Sequence, residues 1–173
     1  MSGMARGTTK PGLRPFLPED AALCTAIFEA SVMDLTGDDY TEAQQEAWIA
    51  AIGDEEIFAK RLSSQLTLIA TLGDSAVGFA SLKSNELIDL LYVHPAAVGE
   101  GVGTALCEAL EKLAAARGAE KITADVSDTA HRFFTHRGFE DWRRNTVSLG
   151  DEWLGNTTMR KTLKADKAEG DRS

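Results

Sequence analysis

The chain has 173 residues, 43% hydrophobic and 26% charged, which is the size and composition of one globular domain with its own core. Its formal charge of −9 argues against nucleic acid or an anionic membrane as a partner and favours a cationic one, such as an amine. No run approaches the roughly 18 apolar residues of a membrane span, and Met1–Lys10 lacks the apolar centre of a signal peptide, so the cytoplasm is the expected compartment.

Residues 1–11 and 164–173 are polar, small and charged, and read as disordered tails around a single domain at 12–163. Leu13–Leu17 is a short strand. Pro18-Glu19-Asp20 opens a helix with Leu23, Ile27 and Ala30 on its apolar face, and Gly37-Asp38-Asp39 breaks it. Thr41 and Gln44 form a capping box for a second helical region, interrupted near Gly53-Asp54 and running to about Ser63. Leu66–Leu72 and Ala76–Leu82 are strands joined by a Gly73-Asp74 turn, and after Lys83-Ser84-Asn85-Glu86 comes a central strand, Leu87–Val93. Val102, Leu106, Leu110 and Leu113 make the apolar stripe of a helix that Gly118 ends. Lys121–Val126 alternates as a strand, and Ser127 or Asp128 caps a short helix that stops near Arg137-Gly138. Phe139–Leu149 and Leu154–Leu163 form a last hairpin across Gly150-Asp151. Cys24 and Cys107 lie at apolar helical positions and read as buried reduced thiols rather than a disulfide or a nucleophile.

The most informative stretch joins the central strand to the helix after it. Gly99, Gly101 and Gly103 stand at alternate positions behind His94-Pro95, where missing Cβ atoms let backbone N–H groups approach a ligand. The helix directs its positive N-terminal end at the same place, so the segment is an anion cradle, most simply for phosphate.

These residues resemble the GNAT superfamily of acyl-CoA-dependent N-acetyltransferases, over roughly Pro11 to Leu163 in element order and most closely from Leu87 to Phe139. In that family the fourth strand ends in Arg/Gln-x-x-Gly-x-Gly/Ala, whose amides hold the pyrophosphate of coenzyme A. Here the loop runs Val98, Gly99, Glu100, Gly101, Val102, Gly103, with Thr104 following; Gly101 and Gly103 match, and Val98 departs from Arg/Gln. The segment Ser127 to Phe139 is similar to the family's Ala-x-x-Phe-Tyr-x-x-x-Gly-Phe helix, with Ala130, Phe133 and Phe134 along it. The family's Tyr commonly protonates the departing thiolate; Phe134 stands there and has no proton to give. The resemblance implies a mixed, mostly antiparallel sheet of about seven strands with helices on both faces, splayed between its fourth and fifth strands. It also implies acetyl-CoA as cosubstrate, with the pantetheine and thioester carbonyl against Leu91, Tyr92 and Val93, and Asp125, Val126 and Ser127 facing the cleft opposite.

The chemistry requires a neutral amine, a polarised carbonyl and a thiolate that leaves, preferably protonated. Asp89 is the first candidate base: a carboxylate in an apolar strand, with burial expected to raise its pKa, or else a hydrogen-bonded structural residue. Glu86 is the runner-up. His131, one turn before Phe134, is the candidate acid or simply a surface histidine; His136 is off that face. Arg132, Arg137 and Lys112 are either phosphate partners or solvated helix charges. Tyr40 and Trp48 are either an aromatic wall for an amine or core and loop anchors. The three histidines are too scattered for a metal site.

Gly99-x-Gly101-x-x-Thr104 comes near a dinucleotide fingerprint, but it follows antiparallel-looking strands rather than the first strand of a βαβ unit. The expected function is acetyl transfer from acetyl-CoA to a primary amine by direct attack in a ternary complex. The alternative is a catalytically weak or inactive acyl-CoA-binding sensor or scaffold. A homodimer through the last hairpin is possible on either reading.

Overall fold

The protein is described by a computed structural model covering residues 10–163. The tails expected at 1–11 and 164–173 lie outside the described residues apart from Lys10 and Pro11. Strand β1 spans Gly12–Pro15, and a 3-10 turn, Pro18–Asp20, leads into α1, Ala21–Leu35. Helices α2, Glu42–Ala50, and α3, Glu55–Ser63, follow. Strands β2 (Leu66–Leu72), β3 (Ser75–Lys83) and β4 (Leu87–Val93) come next, then α4 (Val102–Ala116), β5 (Lys121–Ser127) and α5 (His131–His136). The hairpin β6 (Glu140–Leu149) and β7 (Glu152–Thr162) closes the described chain.

The strands form one sheet in the order β1-β2-β3-β4-β5-β7-β6, antiparallel at every pairing except β4 with β5. Helix α4 covers one face with a core of Leu106, Leu110, Ile122, Val126 and Met159. Helices α1 and α3 cover the other with Phe28, Phe58, Phe79 and Leu90. This is the mixed, two-faced seven-stranded architecture expected from the sequence.

The differences from expectation are local. Strand β1 ends at Pro15, because the chain turns to let Leu17 N–H donate to Asp20 Oδ2 at 2.8 Å. The second helical region breaks near Gly53-Asp54 as expected, into two helices: Gly53 takes φ +82°, and Asp54 caps α3 through Ile57 N–H at 2.9 Å. The buried face of α1 is Cys24, Ile27, Phe28, Ser31 and Val32, while Leu23 is 47% exposed. The N-cap of α5 is Ala130; Ser127 instead accepts the Ala130 N–H at 3.1 Å, closing the turn before the helix. The Thr41–Gln44 capping box forms as expected. Cys24 and Cys107 are buried and unbonded to each other, and burial pushes both thiols up to about 12. Among the described residues no helix is long and apolar enough to cross a membrane.

Candidate active site

The site begins at an irregularity in β4. Ser81 pairs with Leu90 and Leu82 with Ile88, so Asp89 is an extra residue bulged out of the ladder. The bulge reverses the alternation of β4. Before it, Ile88 faces the α4 side; after it, Leu90 and Tyr92 face the α1 side, and Leu91 and Val93 face α4. Pairing of β4 with β5 ends at the same level, with Leu87 opposite Thr123 and Ile88 opposite Ala124. Beyond Ile88 the strands separate, and the free edge of β4 lines a cavity of about 400 Å³ that passes through the sheet.

On the α4 side the cavity is walled by Leu91, Val93, Val98, Gly103, Ala130, Phe133 and Phe134. Gly103 allows the approach of Phe133, whose ring would lie 3.4 Å from a Cβ at that position. His94 accepts the Ala96 N–H at 3.0 Å and so fixes the turn that carries the chain into the glycine loop. Gly99 and Gly101 take φ +89° and +83°, and Gly101 is the N-cap of α4. No side chain caps that helix end, which leaves its first amides free for an anion, and a Cβ on Gly101 would meet nothing within 4 Å. Glu100 and Thr104 are exposed on this loop and first turn. Val102 is different: its side chain is buried against Gly78 in the core, so only its backbone is available to a ligand.

On the α1 side the lining comes from Ser31, Leu35 and Thr36 of α1 and its end, Tyr40 of the following loop, Trp48 of α2, and Tyr92. The far end of the sheet supplies Asp125, Asn156, Val147, Leu149 and Leu154. Tyr40 ties these elements together, its hydroxyl donating to the Gly155 carbonyl at 2.6 Å and accepting from the Asp128 N–H at 2.9 Å. Trp48 Nε1 donates to the Tyr92 hydroxyl at 3.3 Å, and burial pushes Tyr92 up to about 12.

Asp89 lines the cavity, but the raised pKa expected of it is corrected. Burial does push the carboxyl up, yet bidentate hydrogen bonds from Arg61 at 2.8 and 3.0 Å and one from Gln65 at 2.8 Å outweigh it, and the net shift is downward. Both oxygens are taken, so the carboxylate is held as an anion. The shared face of His131 and Phe134 is also corrected: His131 does not line the cavity, and its ring, 40% exposed, bonds Asp141 on β6 at 2.7 Å. It is the first residue of α5 and its ring is held on the β6 side by Asp141, whereas Phe134 is buried between Phe133 and Phe139. Arg137 is bound to Glu111, and neither Arg132, Lys112 nor Glu86 lines the cavity.

What sequence reasoning missed is Asp125 as the carboxylate with room to act. Its Oδ1 accepts from Thr158 Oγ1 at 2.6 Å, and no described donor reaches Oδ2. The alternation of β5 carried the signal, since Ile122, Ala124 and Val126 face the core and Asp125 must face the other way.

A sequence model of the GNAT acetyltransferase domain matches residues 36–163. The chain belongs to the GNAT acetyltransferase family. It is 30% identical over 148 residues to the uncharacterized N-acetyltransferase YafP of Escherichia coli (strain K12), across 86% of this chain and 93% of that protein. It is 62% identical to a GCN5-related N-acetyltransferase from Rhodopseudomonas palustris, whose crystal structure superposes with a TM-score of 0.87 over 89% of this chain and 96% of that one. PaiA N-acetyltransferase from Thermoplasma acidophilum, solved in complex with coenzyme A, shares the GNAT fold at 19% identity, with a TM-score of 0.72 over 88% of this chain and 99% of that one. In this GNAT domain Val98 and Gly103 of the glycine loop line one cavity with the edge of β4 and with Phe133 and Phe134, whereas Gly99, Glu100, Gly101, Val102 and Thr104 lie outside its lining.

Proposed function

We propose that this protein transfers the acetyl group of acetyl-CoA to a primary amine by direct attack within a ternary complex. The observation that carries the reading is one cavity joining the uncapped, glycine-led start of α4 to the free edge of β4. The residues fit coenzyme A. Amides of Gly99, Gly101, Val102, Gly103 and Thr104 present donors and a helix dipole to the pyrophosphate, while the Glu100 amide is taken by the Ala97 carbonyl at 3.3 Å, and the positive φ of Gly101 aims the loop without a side chain in the way. The edge of β4 over Leu91, Tyr92 and Val93 offers the pantetheine the backbone groups that β5 gives up, and an N–H there polarises the thioester carbonyl.

The acceptor enters from the α1 side as an ammonium. It gives one proton to Asp125 or to water, and its freed electron pair attacks the carbonyl carbon. The C–N bond forms, the C–S bond breaks, and the nitrogen sheds a second proton as the amide appears. Sulfur leaves with the electron pair and takes a proton. The hydroxyl groups on the cavity include Ser127 and Tyr92, whose hydrogens no described acceptor takes. Asp89 acts through charge and position, holding Arg61 and Gln65 at the bulge.

Phe134 supports a second reading, an acyl-CoA-binding sensor or scaffold with little or no turnover, because it puts a phenyl ring on the cavity where a proton donor would serve the thiolate. Calorimetric titration with acetyl-CoA, followed by thiol release in the presence of amines, separates the two. Micromolar binding with amine-dependent release is the expected result. Binding without release supports the second reading, and absence of binding overturns both.

A further inference from the structure

We infer that the acceptor is a compact monoamine, one ammonium on an aromatic or aliphatic body, recognised by Asp125 against an apolar wall. The inference deepens the acetyl-transfer reading and rests on it.

Strand register divides the cavity into two halves. Directly paired residues of neighbouring strands point to the same face, so Asp125 shares its face with Thr158, Asn156 with Asn145, and Leu154 with Val147. That face is the one opposite the Ile122, Ala124 and Val126 core, and it looks toward α1 and α2. The half away from the glycine loop is therefore bounded by Leu35, Trp48, Val147, Leu149, Leu154 and the ring of Tyr40. Tyr40 and Trp48 meet edge to face at 5.4 Å, a rigid aromatic corner.

The polar groups of this half are mostly occupied. Tyr40 gives and accepts one hydrogen bond each, to Gly155 and from Asp128. Thr36 Oγ1 donates to Val32 and accepts from Gln45. Asp89 is closed by Arg61 and Gln65. Of the acids nearby, Asp128 is paired with Arg144 through both oxygens, and Asp39, which accepts from Thr129 through Oδ2, lies off the cavity lining. Among the described carboxylates on the cavity, Asp125 alone keeps an oxygen without a protein donor. Its position is fixed from below, since Thr158 Oγ1 donates to it and accepts from Asn145 Nδ2 at 2.8 Å.

One open carboxylate against an apolar wall matches one ammonium on an apolar body. A polyamine would bring further charges into a wall with no second open carboxylate, and burying an unpaired charge is costly. The volume of about 400 Å³ must also admit the acetylated arm of coenzyme A, which leaves room for a small acceptor.

The test compares phenethylamine, spermidine and a short peptide with free α- and ε-amines, after calorimetry has measured acetyl-CoA binding. Phenethylamine is expected to be acetylated with kcat/KM at least about tenfold above the other two. Asp125→Asn is expected to raise its KM by about tenfold or more with acetyl-CoA affinity unchanged. Val147→Asp, which adds a carboxylate to the apolar wall, is expected to lower activity on phenethylamine relative to spermidine. If acetyl-CoA binds and spermidine or the peptide is preferred, or no amine is acetylated, the inference is overturned while the coenzyme site stands. If acetyl-CoA does not bind, the transfer reading fails and the inference with it.

Discussion

Arg61 grips Asp89 with both arms of its guanidinium, Nε to Oδ2 at 2.8 Å and Nη2 to Oδ1 at 3.0 Å, at the residue where β4 bulges and parts from β5. The pair ties α3 to the point at which the cavity opens. Its chemical consequence is that Asp89 stays charged. Its mechanical consequence is that the bulge has an external support.

Replacing Asp89 with Asn should therefore act on stability before it acts on chemistry. Asn offers one acceptor in place of two and leaves Arg61 without its counter-charge, a loss of about 1–3 kcal/mol. The pH dependence follows from the lowered carboxyl. A group whose pKa is depressed by folding contributes stability that is present above its unfolded value, near 4, and is lost as pH falls through the folded value. The wild type should thus lose stability in acid below about pH 4 more steeply than Asp89→Asn, as thermal melts from pH 7 down to pH 2 would record. If Asp89 were instead the base, the substitution would abolish turnover at neutral pH in a protein that still folds; an acid limb unchanged by the substitution would mean that the Arg61 pair adds nothing to stability.

At Gly101 the two properties of glycine can be separated. Gly101→Ala places a methyl group in open space at φ +83°, so its cost is backbone strain of about 1 kcal/mol and little else. Gly101→Asp adds a negative charge at the end of α4 where the phosphates are proposed to lie. Acetyl-CoA affinity should fall several-fold in the first variant and by at least about a hundredfold in the second, measured by calorimetry. Equal losses would mean that loop shape, rather than an anion, explains the glycine.

Much of this was legible in the sequence because local rules and the tertiary fold agree. Strands β2 and β4 fall where turn residues bracket apolar runs, and Gly118 ends the helix carrying Leu106 and Leu110. The glycine loop and α5 were placed by motif; Val98 and Gly103 of the loop and Ala130, Phe133 and Phe134 at α5 line the same cavity. The bulge at Asp89 was not legible, because a strand with an extra residue has the same composition as one without. Missing it turned a carboxylate anchored by Arg61, 28 positions earlier, into an apparently isolated acid. His131 failed for a related reason: helical spacing relates it to Phe134, but Asp141 on β6 claims the ring. The open oxygen of Asp125 depends on which neighbours are satisfied, and that is a property of the assembled sheet.

Glu111 joins three elements behind the cavity. Buried on α4, it holds Lys161 of β7 at 2.7 Å and Arg137, just past α5, at 3.2 Å, and it accepts from Cys107 at 3.3 Å. Glu111→Ala leaves two partly buried cations unpaired, and the expected destabilisation is about 3 kcal/mol in urea unfolding. Acetyl-CoA affinity should fall by less than in Gly101→Asp, since Glu111 touches the frame of α5 and not the cavity lining.

The last prediction concerns the ring at the centre of the cofactor half. Phe134 is 5% exposed, packed edge-on against Phe133 at 5.2 Å and Phe139 at 5.0 Å, and part of the cavity wall. It can shape the space around sulfur but cannot protonate it. Phe134→Tyr adds one oxygen to a wall already facing the cavity, so acetyl-CoA affinity should be retained. If departure of the thiolate limits turnover, kcat should rise on the order of tenfold, with a pH profile that acquires a new alkaline limb as the introduced phenol ionises. The measurement is thiol release at saturating acetyl-CoA and amine between pH 6 and pH 10, a range reaching the ordinary phenol value of about 10. An unchanged kcat and profile would place the slow step elsewhere, in amine deprotonation or product release, and would make the missing hydroxyl irrelevant to the rate of this protein.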